Sequence, residues 1–255
     1  MGTITRGTTN PNRLRRMDRW LVATQAWRWR SVVAPVVVDL GYGASPVTAV
    51  ELRDRLRPTH PGLRVVGIEI DPERVAAAQP LAGDGLEFVR GGFELPVPGG
   101  ARPHVVRAFN VLRQYDEAGV EPAWAWVRER LAPGGILIDG TCDELGRLAT
   151  WVVVAEDGPV SLTLSWRLRG LGAPSEIAAR LPKALIHHNV PGEPIHDLLG
   201  QLDDGWARAL PGWGARQRFI ATVESLVAAG WPVIGGRPRW RLGEVTIAWD
   251  AVAPR

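Results

Sequence analysis

Residues 36–43 read VVVDLGYG, an apolar β-branched run that ends in Asp39 and opens into Gly41-Tyr42-Gly43. Val36, Val37 and Val38 suit a strand covered on both faces. The two glycines permit backbone angles, and a close ligand approach, that a Cβ would obstruct. Pro46 stands where the first turn of a helix begins, a position at which its missing N–H has no intrahelical partner to lose. Val47, Val50, Leu52 and Leu56 then recur at helical spacing. Strand, glycine turn and helix in that order form the front half of a nucleotide-type binding site.

The next segment, LRVVGIEID (Leu63–Asp71), reads as a second buried strand ending in Glu69 and Asp71. An acid at that point can accept hydrogen bonds from the two hydroxyls of a ribose. The dinucleotide fingerprint calls for a third glycine where this chain has Pro46, and no arginine beside Glu69 suggests a 2′-phosphate. Both departures disfavour a nicotinamide dehydrogenase. A G-x-S-x-G elbow and a G-x-x-x-x-G-K loop are absent, which removes the corresponding hydrolase and P-loop classes.

VVVDLGYGAS followed by VVGIEIDPERV resembles the first two motifs of class I S-adenosylmethionine-dependent methyltransferases. RAFNVLRQYDE (Arg107–Glu117) is similar to the stretch after their fourth strand, where many small-molecule members carry Asn-Val-Leu. LAPGGILIDGT (Leu131–Thr141) is similar to the element that forms their fifth strand, and SLVAAGWPVI with GEVTIAWDAV fits the last helix and terminal hairpin. The resemblance covers residues 33–145 and 215–252, in order. It implies an α/β fold: a seven-stranded Rossmann-like methyltransferase sheet, mostly parallel with its last strand antiparallel, helices on both faces, an N-terminal helix and an inserted hairpin-plus-helix lid. It implies S-adenosyl-L-methionine as cofactor. Asp39 would shape the turn, with Gly41, Tyr42 and Gly43 against the methionine part and Asn110 at the end of the fourth strand. Glu69 would hold the ribose and Ile70 would lie on the adenine. Gly92 replaces the acid usual near the adenine amino group, leaving Phe93 and backbone there, with Asp84 as a substitute acid.

Four segments follow from this reading: a basic arm and helix (1–30), a cofactor-binding core (31–145), an inserted region (146–214), and a closing helix and hairpin (215–255). At 255 residues, 45% hydrophobic and 22% charged, the composition is that of a globular protein. The sole cysteine, Cys142, excludes an intramolecular disulfide and, with no recognisable signal peptide, points to a cytoplasmic location. Apolar runs fall short of the ~20 residues of a membrane helix, so no membrane span is expected. A monomer and a homodimer are both open.

The net charge of +3 is unevenly spread: residues 1–30 hold seven arginines against Asp18, leaving the remainder at −3. That arm either contacts phosphate backbone or is an ordinary surface helix of an arginine-rich chain. Asn10-Pro11 reads as a helix start, with Leu14, Met17 and Leu21 on one side. By resemblance, Arg13 or Arg16 would reach a methionine carboxylate. Residues 1–9 are polar and read as loose.

In 146–214, two β-prone runs flank Asp157-Gly158 as a hairpin signal, and Ile195–Leu210 is an amphipathic helix broken by Pro211-Gly212. The insertion is read as a lid over the substrate or, alternatively, a dimerisation arm. Trp151, Trp166, Trp206 and Trp213 either wall a substrate or are core. For the chemistry, His187 and His188 are candidate bases, since imidazole accepts a proton near neutrality; the plainer reading has them bonding loop backbone. Asp143 follows the fifth strand and is either a base or a turn cap. No histidine pair has the helical spacing of a metal site, so no metal is expected. The function expected is methyl transfer from S-adenosylmethionine to a small molecule, most naturally at oxygen. RNA methylation through the arginine-rich arm is one alternative, and a catalytically inactive cofactor-binding regulator is another.

Overall fold

The computed structural model describes residues 9–210 and 212–255. Residues 1–8 of the loose stretch expected at the start, Arg6 among them, and Pro211 of the expected helix break lie outside the described residues.

Among the described residues, nine strands form one sheet in the order β3-β2-β1-β4-β5-β6-β7-β9-β8. The first five are β1 (Val36–Leu40), β2 (Arg64–Glu69), β3 (Leu86–Arg90), β4 (Val105–Phe109) and β5 (Ile136–Cys142), all paired in parallel. Every residue of β1, β4 and β5 is buried, as their apolar runs require of central parallel strands. Order reverses between β1 and β4, which opens a crevice at the carboxyl edge of the sheet there.

The expected seven strands are present, and two more stand among them. β6 (Leu148–Ala155) and β7 (Gly158–Trp166) form the hairpin read at Asp157-Gly158, but it is no lid. β6 pairs antiparallel with β5 along its length, and β7 pairs antiparallel with β9 (Glu244–Ala248), which in turn pairs with β8 (Val233–Ile234). The physical reason is hydrophobicity on both faces: Val152 and Val154 point to one core, Trp151 and Val153 to the other. A hairpin apolar on both sides must be covered twice, and only the interior of a sheet does that. Adding two antiparallel strands also preserves direction, so β9 remains antiparallel to β5 as the expected terminal strand should.

Helices cover both faces. α1 (Arg15–Gln25), α2 (Val47–Leu56) and α3 (Pro72–Ala78) bury Met17, Leu21, Leu52, Leu56 and Ala78 against one face. The other face is covered by α4 (Val120–Arg128), the single turn α5 (Lys183–Ile186), α6 (Pro194–Arg208), α7 (Ala215–Ala228) and the short α8 (Arg237–Trp240), through Trp124, Leu185, Leu198, Phe219 and Trp240. Each fully buried leucine contributes roughly 1.5–3 kcal/mol. The helical part of the insertion is therefore a covering layer for β7 and its neighbours. Trp151, Trp166 and Trp206 are core, while Trp213 is 44% exposed. No helix among the described residues is long and apolar enough to cross a membrane.

The N-terminal helix starts later than Asn10-Pro11 suggests. Asn12 has φ of 62°, off any helical path, and Leu14 stands at the N-cap without a side-chain cap bond. Asn10 Nδ2 instead donates to the Glu144 carbonyl in the turn after β5 (3.1 Å).

Candidate functional site

At the carboxyl end of β1 the chain turns through Gly41 (φ 69°) and Gly43 (φ 82°), positions a β-branched residue would hold only under strain. Gly41 N–H donates to the Ile68 carbonyl (2.7 Å), tying the turn to β2. Glu69, 1% exposed at the end of β2, tightens this link. Its Oε2 accepts from Gly43 N–H (2.9 Å), and its Oε1 accepts from Ile70 N–H (2.9 Å) and Asp71 N–H (3.3 Å). Arg74 Nη1 stands 3.8 Å from Oε2. Three backbone donors and a guanidinium thus satisfy the oxygens of a carboxylate held in a buried place.

A cleft of about 60 Å³ opens beside the turn. Asp39, Gly41, Tyr42, Gly43, Thr48 and Asn110 line it from the sheet side, and Thr9, Arg13 and Leu14 close it from the N-terminal side, with Phe109 and Gln114. Thr9 Oγ1 donates to the Tyr42 carbonyl (3.1 Å), so the N-terminal segment is fastened across the glycine turn. Arg13 Nε donates to the Asp143 carbonyl (3.1 Å) and lies 3.3 Å from Cys142 Sγ. Of the two arginines expected near a carboxylate, Arg13 lines the cleft; Arg16 faces a separate, larger groove.

The cleft floor rests on an ion network that sequence reasoning missed. Arg107, wholly buried in β4, donates from Nε to Asp39 Oδ1 (2.9 Å) and from Nη2 to the Thr48 carbonyl (3.0 Å); its Nη1 meets Asp18 of α1. Arg55 of α2 reaches the other Asp18 oxygen (2.5 Å), and Thr48 Oγ1 donates to Asp39 Oδ2 (2.8 Å). Burial alone would lower the Arg107 pKa, but Asp39 and Asp18 outweigh it and hold the guanidinium charged. The signal was present in the strand VVRAF: a cation in a fully buried strand must find carboxylates. Asp18, inside the apolar stripe of α1, was the other half of that signal.

Asn110 sits at φ 59° just past β4. Its Oδ1 accepts from Cys142 N–H (3.1 Å), which joins the ends of β4 and β5 beneath the cleft. Burial pushes the Cys142 thiol pKa up, against Arg13 and Asn110, so it is a neutral structural group.

Tyr42 lines the cleft, while its ring packs edge-on against Phe88 (5.5 Å) and its hydroxyl donates to the Arg74 carbonyl (3.3 Å). Gly67 makes the room, since a Cβ there would lie 3.1 Å from the ring. Gly92 and Phe93 follow β3 and do not line the cleft; Phe93 meets Tyr115 edge-on at 5.7 Å. Ile70 is half-buried beside Glu69. Asp143 caps the β5–β6 turn, accepting from the N–H groups of Leu145 (3.2 Å), Arg147 (2.8 Å) and Leu148 (3.3 Å). His187 Nε2 lies 3.1 Å from Lys183 Nζ, and His188 Nε2 lies 2.6 Å from Glu117 Oε1. None of Asp143, His187 and His188 lines the cleft.

No protein-family model matches the chain, and no curated protein matches it. Solved structures give distant likenesses. A structure of LepI in complex with SAM is 20% identical, with 44% of this chain and 28% of that one covered, at a TM-score of 0.37. For magnesium protoporphyrin IX methyltransferase (ChlM) from Synechocystis PCC 6803 with bound SAH the values are 18%, 54%, 63% and 0.38. For the glycopeptide N-methyltransferase MtfA they are 19%, 55%, 56% and 0.38. The chain thus spans less than two thirds of each of these proteins. With TM-scores below 0.5, the fold rests on the strand order above.

Proposed function

We propose that this chain binds S-adenosyl-L-methionine at the β1–β2 edge and transfers its methyl group to an acceptor. The observation that carries the reading is Glu69, buried at the end of β2 and bonded to the N–H of Gly43 in the glycine turn. The polar groups suit the cofactor: Asp39, Asn110 and Arg13 line the cleft, Arg13 for a carboxylate, and Glu69, behind the glycine turn, would accept from ribose hydroxyls. At about 60 Å³ the cleft admits only part of such a molecule, so binding requires the segment from Thr9 to Leu14 to shift outward. When bound, the cofactor supplies an electrophilic methyl on a sulfonium. The chain's own residues then orient the acceptor and exclude water, which accelerates an in-line displacement without a covalent enzyme step.

A small-molecule acceptor methylated at oxygen is the first reading. Its candidate base is His188, held against Glu117 where residues 174–190 meet the loop after β4; Arg113 Nη1 bonds the Ala179 carbonyl in the same place (3.0 Å). Transfer to RNA is the second, favoured by the arginine-lined groove on the other side of residues 12–16.

Calorimetric titration of S-adenosylmethionine and S-adenosylhomocysteine, with NAD as control, tests the cofactor. Micromolar binding that Glu69→Ala weakens by about tenfold or more, the worth of hydrogen bonds to a charged group, is the expected result. A folded sample that binds neither ligand, or that binds NAD instead, would overturn it.

A further inference from the structure

A second concavity, larger than the cleft, lies on the other side of residues 12–16. It is a groove of about 1200 Å³, and residues 12–16 are shared between the two: Arg13 and Leu14 line the cleft, while Asn12, Arg15 and Arg16 line the groove. Arg15, Arg16 and Arg19 of α1 make one wall. Arg147, from the β5–β6 turn, and Arg167 and Arg169, past the end of β7, come from a second direction. Arg216 of α7 and Arg241 after α8 complete the lining. Five separate parts of the chain thus bring eight guanidiniums to one trough, and among the described residues the one acid in its lining is Glu244. That carboxylate is already bonded to Arg239 Nε (2.8 Å).

Neutralisation is what these arginines lack. Among the described residues, none of the eight forms an ion pair with a carboxylate. Arg16, half-buried, donates to the Leu242 carbonyl (2.9 Å). Burial, with Arg19 and Arg167 nearby, lowers its pKa against the pull of Glu244 and Asp143. A folded chain that gathers like charges into a concavity gains when an anion enters.

We propose that this groove binds a single strand of nucleic acid through its phosphodiester backbone. Several phosphates in a row match eight cations spread over one trough, whereas one carboxylate or one phosphate would engage two or three of them. Concavity favours a strand over a lipid surface, which meets a flat or convex face. Trp213, on the groove lining and exposed, supplies a platform on which a base can stack. Binding needs no cofactor, so this proposal and the methyl-transfer reading succeed or fail separately.

Fluorescence anisotropy of the full chain with labelled single-stranded RNA and DNA of about 12 nucleotides, across a salt series, is the test. The expected result is binding whose log affinity falls with log salt at a slope of about −3, the value for four or five neutralised phosphates on a single strand. The RNA and DNA arms identify the sugar. Removing three exposed arginines, R147A/R167A/R169A, should weaken binding by tenfold or more and flatten the slope by about 2. R130A/R208A, which removes charge outside the groove lining, should change neither. Trp213→Ala should weaken oligonucleotide binding about fivefold or more while leaving competition by polyglutamate unchanged. Absence of binding by both strands at low salt would overturn the proposal, as would equal loss in R130A/R208A. Polyglutamate binding as tightly as RNA, with the same sensitivity to the triple variant, would reassign the groove to an acidic polypeptide.

Discussion

Arginines on the two sides of helix α1 meet opposite surroundings. Beneath it, Arg107, buried, and Arg55, half-buried, are neutralised by Asp18 and Asp39. On its outer side Arg15, Arg16 and Arg19 face a groove whose lining, among the described residues, holds a single acid. The residue type is the same, yet the first set is part of the architecture and the second is a surface awaiting a counter-charge. The difference teaches where function can reside. Side chains whose bonding is complete fix the ends of β1 and β4, and those without an ionic partner are available to something outside the chain.

The comparison breaks most visibly at Arg107. Arg107→Ala strips the counter-charge from Asp39 and from one oxygen of Asp18, both buried, and removal of one partner from a buried pair costs about 3–5 kcal/mol. Denaturant unfolding should register a loss of that size, and Arg107→Lys should recover little of it, because an ammonium cannot reproduce the fork that meets two carboxylates and the Thr48 carbonyl. A loss below about 1 kcal/mol for Arg107→Ala would mean the network is not what fastens α1 to the sheet.

A third kind of site sharpens the contrast: a buried acid with no cation. Asp139 in β5 accepts one hydrogen bond, from Trp124 Nε1 (3.1 Å), and burial, only partly offset by that bond, pushes its pKa up to about 7. The folded value thus lies above the unfolded value of ~3.9. Between those values the native state holds a proton that the unfolded chain has lost, so stability falls as pH rises through this window and stays low above about 7. Asp139→Asn keeps an acceptor for Trp124 and removes the titration. It should raise stability at pH 8 by a few kcal/mol, with a much smaller effect at pH 4. Melting curves of the two proteins that stay parallel across the range would exclude this account.

These sites also show what the chain discloses in one dimension. The alternation of apolar strands and helices up to Cys142 was legible because central parallel strands admit little but aliphatic side chains. Glu69 and the glycine turn were legible because their spacing is local. The place of the β6–β7 hairpin was not, since Asp157-Gly158 marks a turn but says nothing about the partner of either strand. Apolar residues on both faces of TWVVVA carried the missing information. The arginine groove was harder still: Arg19, Arg147, Arg169 and Arg241 are far apart in the chain, and only the packing of α1, α7 and the ends of β5 and β7 brings them together. The histidines illustrate the same limit: His187 and His188 are adjacent in the chain, yet they meet different neighbours, Lys183 and Glu117, and neither lines the cleft.

The smallest expected effect is the most discriminating test of the opening contrast. If Arg147, Arg167 and Arg169 carry no intramolecular ion pair, removing all three should change stability by no more than about 0.5 kcal/mol, the range of surface substitutions away from structural features. Relief of repulsion among the remaining groove cations should give the change a stabilising sign at low salt, and screening should erase it as ionic strength rises past 0.1 M, where the Debye length is about 10 Å. Arg107→Ala, in a site closed to solvent, should by contrast lose nearly the same stability at any salt. Parallel melts of the two variants at low and high salt therefore separate a cation held by the fold from one held in reserve. A groove variant destabilised as severely as Arg107→Ala would place those arginines in the architecture after all, with nothing left over for a ligand.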